Sequence, residues 1–201
     1  ISIYDNGSHM PLLWTHLIPA TLEGRALHNV ENAMFAAAMA FSMGVSLENI
    51  RQGLRTFDTS FFQAPGRMNI FDKLGFKVIL DYGHNPAAIQ AMCELTDRLD
   101  CRGTRVCVLA APGDRRNEDI AEIATIASGH FDKYVCRQDD RTRGRPDGEI
   151  PRLLKEALLK AGVAEDKIQC ISSEQEAVNS ALHQCEDGDL LLIFADKITR
   201  S

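Results

Sequence analysis

From Met68 onward the chain alternates between short apolar runs and amphipathic stretches, a rhythm that leaves few folds open. MNIFDKL and FKVILDY flank Gly75 and read as two strands joined by a turn, and Pro86 to Leu99 has helical spacing. RVCVLAA, NEDIAEIATIAS, KYVCR, GEIPRLLKEALLKAG, KIQCI, SEQEAVNSALHQC and DLLLIFA then continue as strand, helix, strand, helix, strand, helix and strand. Strands separated by whole helices run in the same direction, so the expectation is an α/β fold: a Rossmann-like, mainly parallel sheet with helices on both faces.

The residues before this region follow another pattern. NVENAMFAAAMAFSM, from Asn29 to Met43, lacks Gly and Pro and is apolar nearly all round, which predicts a well-buried helix ended by Gly44. Ser46 opens a second, shorter helix with Leu47, Ile50 and Leu54 at helical spacing. One or two strands precede the pair, and the strand-like reading through Leu12-Leu13-Trp14 argues that Gly7 to Met10 is native although it matches a cloning scar. TFDTSFFQAPG loses all periodicity and reads as a linker. The division expected is therefore residues 1–55, a linker at 56–65, and an α/β domain at 66–201. Ile1 and the strand-like run close to Ser201 read as cut ends of a longer chain.

The formal net charge of −6 disfavours a nucleic-acid partner. Six cysteines without a C-x-x-C pair read as buried thiols, with neither disulfides nor a metal cluster. No apolar run is long enough to span a membrane and no signal peptide opens the chain, so the expectation is a cytoplasmic protein without a membrane partner. A homo-oligomer is compatible with all of this.

Ligands of open parallel sheets bind beyond the carboxyl ends of the strands. Four such ends are unusually polar: Asp81-Tyr82-Gly83-His84-Asn85-Pro86, Pro112-Gly113-Asp114-Arg115-Arg116, Gln138-Asp139-Asp140 with Arg141 to Pro146, and Asp196-Lys197. Arg recognises carboxylate or phosphate in bidentate fashion, and Asp accepts from hydroxyl and ammonium groups, so an amino acid or a ribose suits the mixture. There is no G-x-x-x-x-G-K-[ST] and no G-x-G-x-x-G after a strand, so a triphosphate would have to be gripped from elsewhere and a dinucleotide-dependent dehydrogenase is disfavoured. A metal hydrolase built on Asp81, His84 and Asp114 lacks a second histidine at ligand spacing.

His28-Asn29-Val30-Glu31-Asn32, then Pro65-Gly66-Arg67, then Asp81-Tyr82-Gly83-His84-Asn85-Pro86 resemble, in order, the H-N-x-x-N, P-G-R and D-Y-A-H-N-P motifs of Mur ligases. Ile18 to Asn32, Gly113 to Asp119, and Asp139-Asp140 with Arg143-Gly144-Arg145-Pro146 resemble the cyanophycin synthetase branch of that superfamily. The resemblance implies an ATP- and Mg2+-dependent ligase that activates a carboxylate as an acyl phosphate and lets an amine displace the phosphate. In that branch arginine is attached to side-chain carboxylates of a polyaspartate backbone. Residues 1–55 would then be a small helical remnant of the ATP-binding central domain, with the phosphate loop and most metal ligands upstream of Ile1, and the fragment would be inactive alone.

By the same resemblance Asn29 and Asn32 would hold the adenine, and Asp81 the ribose. Arg67 would reach the phosphates and is the one catalytic assignment. Asp114, Arg115, Asp139, Asp140, Arg143 and Arg145 would line the side of the incoming amino acid, the aspartates pairing with a guanidinium and Arg143 or Arg145 holding the carboxylate. His84 reads as a packing histidine beside a helix cap rather than a base. Gly83 stands where the family often has Ala. Two other readings compete: a Mur-type ligase for a peptidoglycan precursor or folylpolyglutamate, and a non-catalytic module that binds nucleotide or polymer.

Overall fold

The structure, a computed structural model, describes residues 1–195 and divides into two compact units, Ile1–Ala64 and a second unit from Pro65 onward. Asp196 and Lys197, the fourth polar strand end, lie outside the described residues.

The first unit opens with an antiparallel hairpin of β1 (Ser2–Asp5) and β2 (Ser8–Pro11). Its two-residue turn needs positive φ at both positions, which Asn6 (46°) and Gly7 (81°) adopt. Two single 3-10 turns lead into α1 (Leu27–Ser42) and α2 (Leu47–Thr56). Ser46 Oγ accepts from Asn49 N and caps α2, and the Arg51 guanidinium ties that helix to the Pro11 and Leu12 carbonyls.

Leu12, Leu13, Ile18, Ala33, Ala37 and Ile50 form the core of this unit. The expectation of a well-buried α1 is corrected here: Met34, Phe35 and Met39 are exposed, Phe35 at 68%. Within the unit α2 and the Leu12–Ile18 segment cover a single stripe of the helix, the one carrying Ala33 and Ala37.

In the second unit β3 (Asn69–Phe71) pairs antiparallel with β4 (Lys77–Asp81). The chain then lays down α3 (Pro86–Arg98), β5 (Arg105–Ala111), α4 (Asn117–Ala127), β6 (Lys133–Gln138), α5 (Glu149–Lys160), β7 (Ile168–Cys170), α6 (Glu174–His183) and β8 (Leu190–Phe194). The sheet order is β3-β4-β8-β5-β6-β7, and every pairing except β3 with β4 is parallel.

Successive strand residues point to opposite faces. Val78, Leu80, Val106, Val108, Val135, Leu191 and Ile193 meet Ala177 and Ala181 of α6 on one face. On the other, α3, α4 and α5 lie side by side, and the Tyr134 hydroxyl donates to the Ala127 carbonyl at 3.0 Å. Central strands that read as unbroken apolar runs are what burial on both faces demands. Among the described residues no helix is long and apolar enough to cross a membrane.

Candidate functional site

Because β4, β8, β5 and β6 are parallel neighbours, their carboxyl ends share one edge of the sheet. Each polar segment is held there by local chemistry. Asn85 Oδ1 accepts from Ala88 N at 2.9 Å, and Pro86 starts α3, so the chain leaving β4 bends at Asn85. After β5, Pro112 to Arg116 cross the edge before α4. After β6, residues 139–148 form a long loop before α5. These segments enclose a cleft of about 140 Å³ lined by Gly83, His84, Arg115, Asp139, Arg143 and Phe194 among others.

A fully buried guanidinium underlies this edge. Arg137 donates through Nη1 to the Gln138 carbonyl (2.9 Å) and through Nη2 to the Phe194 carbonyl (2.6 Å), joining the ends of β6 and β8. Nη1 also lies 3.5 Å from Asp139 Oδ1 and 3.6 Å from Glu174 Oε2, both buried carboxylates. Arginine keeps its charge even when buried, so a dehydrated guanidinium requires such partners. Sequence reasoning missed Arg137 because it sits inside KYVCR, where it reads as the polar end of a strand.

The loop after β6 is pinned at several points. Gln138 donates from Nε2 to Asp147 (2.6 Å) and accepts from Gly148 N (2.9 Å). Arg145 gives its guanidinium to the Gly113 and Arg115 carbonyls, to Asn117 Oδ1 and to Glu149. Gly113 is needed for this contact, because a Cβ there would overlap the Thr142 carbonyl oxygen. Arg143, with φ of 52°, reaches Asp114 at 2.6 Å, and that bond holds the exposed Asp114 carboxyl below its ordinary value of 3.8.

The structure thus brings Arg115, Asp139 and Arg143 to one cleft, with Asp114 paired to Arg143 at its rim. Arg145 is engaged in holding the loop. Asp140 is exposed and faces a separate depression with Ser173, Glu174 and Gln175.

Arg67 lies over the Tyr82 ring, 5.6 Å from its centroid, in a turn fixed by Asn69 Oδ1 accepting from Gly66 N at 2.7 Å. Asp81 is buried, and its Oδ2 accepts from Met68 N at 2.9 Å. A Cβ at Gly83 would stand 3.0 Å from both Asp81 Oδ1 and the Phe194 ring, so glycine here lets these two approach closely. His84 Nδ1 lies 3.0 Å from the Tyr82 carbonyl, which can only accept, so Nδ1 carries the proton.

In the first unit Asn29 Nδ2 donates to the Ala20 carbonyl (2.8 Å) and Asn32 Nδ2 to Asn29 Oδ1 (3.1 Å). Both line a groove of about 360 Å³ walled by Ala33, Ala36, Ala40 and Ile50, apolar faces that suit a planar heteroaromatic ring. Among the described residues no three His, Cys, Asp or Glu side chains converge to hold a metal.

Residues 66–196 match the family Mur ligase, glutamate ligase domain. The chain is 38% identical over 184 residues to a cyanophycin synthetase of Crocosphaera subtropica, covering 92% of this chain and 21% of that protein. It is 37% identical over 208 residues to a cyanophycin synthetase of Synechocystis sp., covering 100% of this chain and 24% of that protein. It therefore spans about a fifth to a quarter of the length of these relatives.

Its fold is shared by solved structures of Mur-type ligases, two of which serve as examples. A folylpolyglutamate synthase of Mycobacterium tuberculosis complexed with ADP superposes with a TM-score of 0.60 at 18% identity, over 77% of this chain and 33% of that one. A UDP-N-acetylmuramoylalanyl-D-glutamyl-2,6-diaminopimelate--D-alanyl-D-alanyl ligase of Acinetobacter baumannii gives 0.60 at 24% identity, over 86% and 34%.

Proposed function

Since this chain belongs to the Mur ligase family through its glutamate ligase domain, we propose that it is the carboxyl-terminal part of an ATP-dependent ligase joining arginine to aspartate side-chain carboxylates of a polyaspartate backbone. The observation that carries this reading is the gathering of Arg115, Asp139 and Arg143 in one small cleft at the carboxyl edge of the sheet. An α-amino acid with a cationic side chain needs a cation for its carboxylate and an anion for its far end, and the cleft offers both. The identity of 35–38% to cyanophycin synthetases supports the choice of amino acid.

ATP would supply the phosphate that activates the acceptor carboxylate, and among the described residues no carboxylate cluster would hold its Mg2+. Amine attack then asks the protein for positioning and charge stabilisation rather than for a nucleophile. Asp139, fixed by Arg137 beneath it, receives the arginine guanidinium, and Asp140 adds negative charge at longer range from the neighbouring depression. Arg143 exchanges Asp114 for the substrate carboxylate, and Arg115 stands beside it. Arg145 acts as a positioning residue that keeps the loop closed over the Gly113 crossing.

Of the nucleotide roles, we assign the adenine to Asn29 and Asn32 within the first unit, and the phosphates to Arg67 and the ribose to Asp81 within the second. Residues 1–55 are the tail of the ATP-binding domain, 56–65 the linker, and 66–201 the amino-acid side of the enzyme. With no phosphate-loop motif in these residues, we assign them no ligation activity by themselves, and we place the parent enzyme in the cytoplasm.

The test uses the full-length parent. Polymer synthesis should require arginine and ATP and release ADP. Changing Asp139 and Asp140 together to Asn should raise KM for arginine by about 10- to 100-fold, the worth of a charge-assisted hydrogen bond. An unaltered KM removes these aspartates from the site. Turnover with another amino acid but not arginine points instead to a different Mur-type ligase.

A further inference from the structure

Two of the six thiols form a unit that the ligase reading does not use. Cys136 on β6 and Cys170 on β7 are direct register partners on adjacent parallel strands. Their side chains therefore leave the sheet on the same face, the one covered by α5, where Cys170 Sγ lies 3.4 Å from the Pro151 carbonyl. Neighbouring strands run about 4.8 Å apart, inside the roughly 4.4–6.8 Å range of Cα separations that disulfides bridge. β7 has three residues, sits at the edge of the sheet and pairs with β6 as its one neighbouring strand, so it can make the small approach that a bond requires.

Access and reactivity are divided between the partners. Cys170 is exposed and Cys136 is buried, an outer nucleophile in front of an inner partner. The Cys136 thiol and the Lys155 ammonium lower the Cys170 thiol from 9.0 to about 7, while the neighbouring Cys170 thiol and burial push Cys136 well up. Elsewhere burial drives the Cys93 thiol up to about 12, Cys107 well above its ordinary value, and Cys185 to about 11. The Cys101 thiol donates to the Gly103, Thr104 and Gly188 carbonyls.

We propose that Cys136 and Cys170 are a hydroperoxide-reactive dithiol that closes to a reversible intramolecular disulfide. The Cys170 thiolate attacks one peroxide oxygen. The O–O bond breaks, Cys170 becomes a sulfenic acid, and the other oxygen leaves as alkoxide, taking a proton to become the alcohol, or water if the oxidant is hydrogen peroxide. The Cys136 sulfur then attacks the sulfenic sulfur: the S–S bond forms, the S–O bond breaks, and hydroxide departs with the Cys136 proton as water. Two thiols lose two electrons and one peroxide gains them. The bridge fastens the edge strand to β6 two residues before Gln138, whose N–H donates to Ser172 just past β7.

The experiment treats the chain with a few equivalents of hydrogen peroxide at neutral pH, blocks remaining thiols with an alkylating agent, and maps peptides without reduction. Expected is the loss of two of the six thiols in a single peptide pair linking Cys136 to Cys170, both recovered on adding dithiothreitol. The exposed Cys170→Ser variant should form no bridge, Cys136→Ser should stop at a sulfenic acid trapped by dimedone, and Cys101→Ser should behave as the parent. Six intact thiols, a bridge through any other cysteine, or a Cys170-to-Cys170 dimer as the main product overturns the proposal.

Discussion

The two edges of the central sheet use the same residue type to opposite ends. At the amino edge, Asp189 accepts from Thr104 N at 2.6 Å and from Glu186 N at 2.8 Å, and Asp132 accepts from Arg105 N at 2.8 Å. Their partners are backbone amides that cannot move away. At the carboxyl edge, Asp114 and Asp139 pair with the guanidiniums of Arg143 and Arg137. Arg143 stands on an exposed loop and can turn to another anion, whereas Arg137 is locked beneath the edge and holds its neighbours for others to use. The mobility of the partner, more than the charge of the acid, separates a carboxylate that closes a fold from one that can serve a ligand.

The largest expected effect attacks the locked member. Arg137→Met removes the cation between two buried carboxylates and should cost about 3–5 kcal/mol in urea unfolding, the usual result of breaking a buried ion pair from one side. A loss near zero would mean that the carbonyls of β6 and β8 stay in place without it. At the other edge, Asp189→Ala strands two backbone donors and should cost about 1–3 kcal/mol. In the full-length enzyme it should leave KM for arginine unchanged, and a raised KM would erase the contrast between the edges.

The smallest effect concerns the movable pair. The bond from Arg143 depresses the Asp114 carboxyl below 3.8 in the folded chain. The stabilisation tied to that shift is therefore fully present above 3.8 and is lost as pH falls through the depressed value. Titration of the Asp114 carboxyl by NMR should show a midpoint under 3.8 that moves back up in Arg143→Ala. An unmoved midpoint would break the pairing on which the exchange of partners rests.

Most of the second unit was legible in the sequence because the apolar period changes from two to three or four at nearly every boundary, and burial on both faces leaves strands such as DLLLIFA without polar positions. The order of those strands was not legible. Placing β8 between β4 and β5 depends on how the α6 crossover packs, which no local pattern encodes. In the first unit, an Ala-rich helix that is apolar all round cannot disclose which stripe its own 64 residues cover, so exposure of Phe35 was missed.

The cleft was legible in part. Residues following parallel strands must meet, and Arg115, Asp139 and Arg143 do. The engagement of Arg145 with four groups was hidden because its partners lie in segments far apart in the chain. Arg137 was hidden by its place within a strand.

The Gly113 crossing gives this edge two independent dials. The path of the loop from 139 to 148 depends there on an absent methyl group and on the Arg145 guanidinium, while the polarity of the cleft resides at 115, 139 and 143. A library aimed at a different amino acid can therefore vary the charges with position 113 held as glycine. Alternatively, it can vary 113 together with Thr142 to re-route the loop while the charges stay as they are.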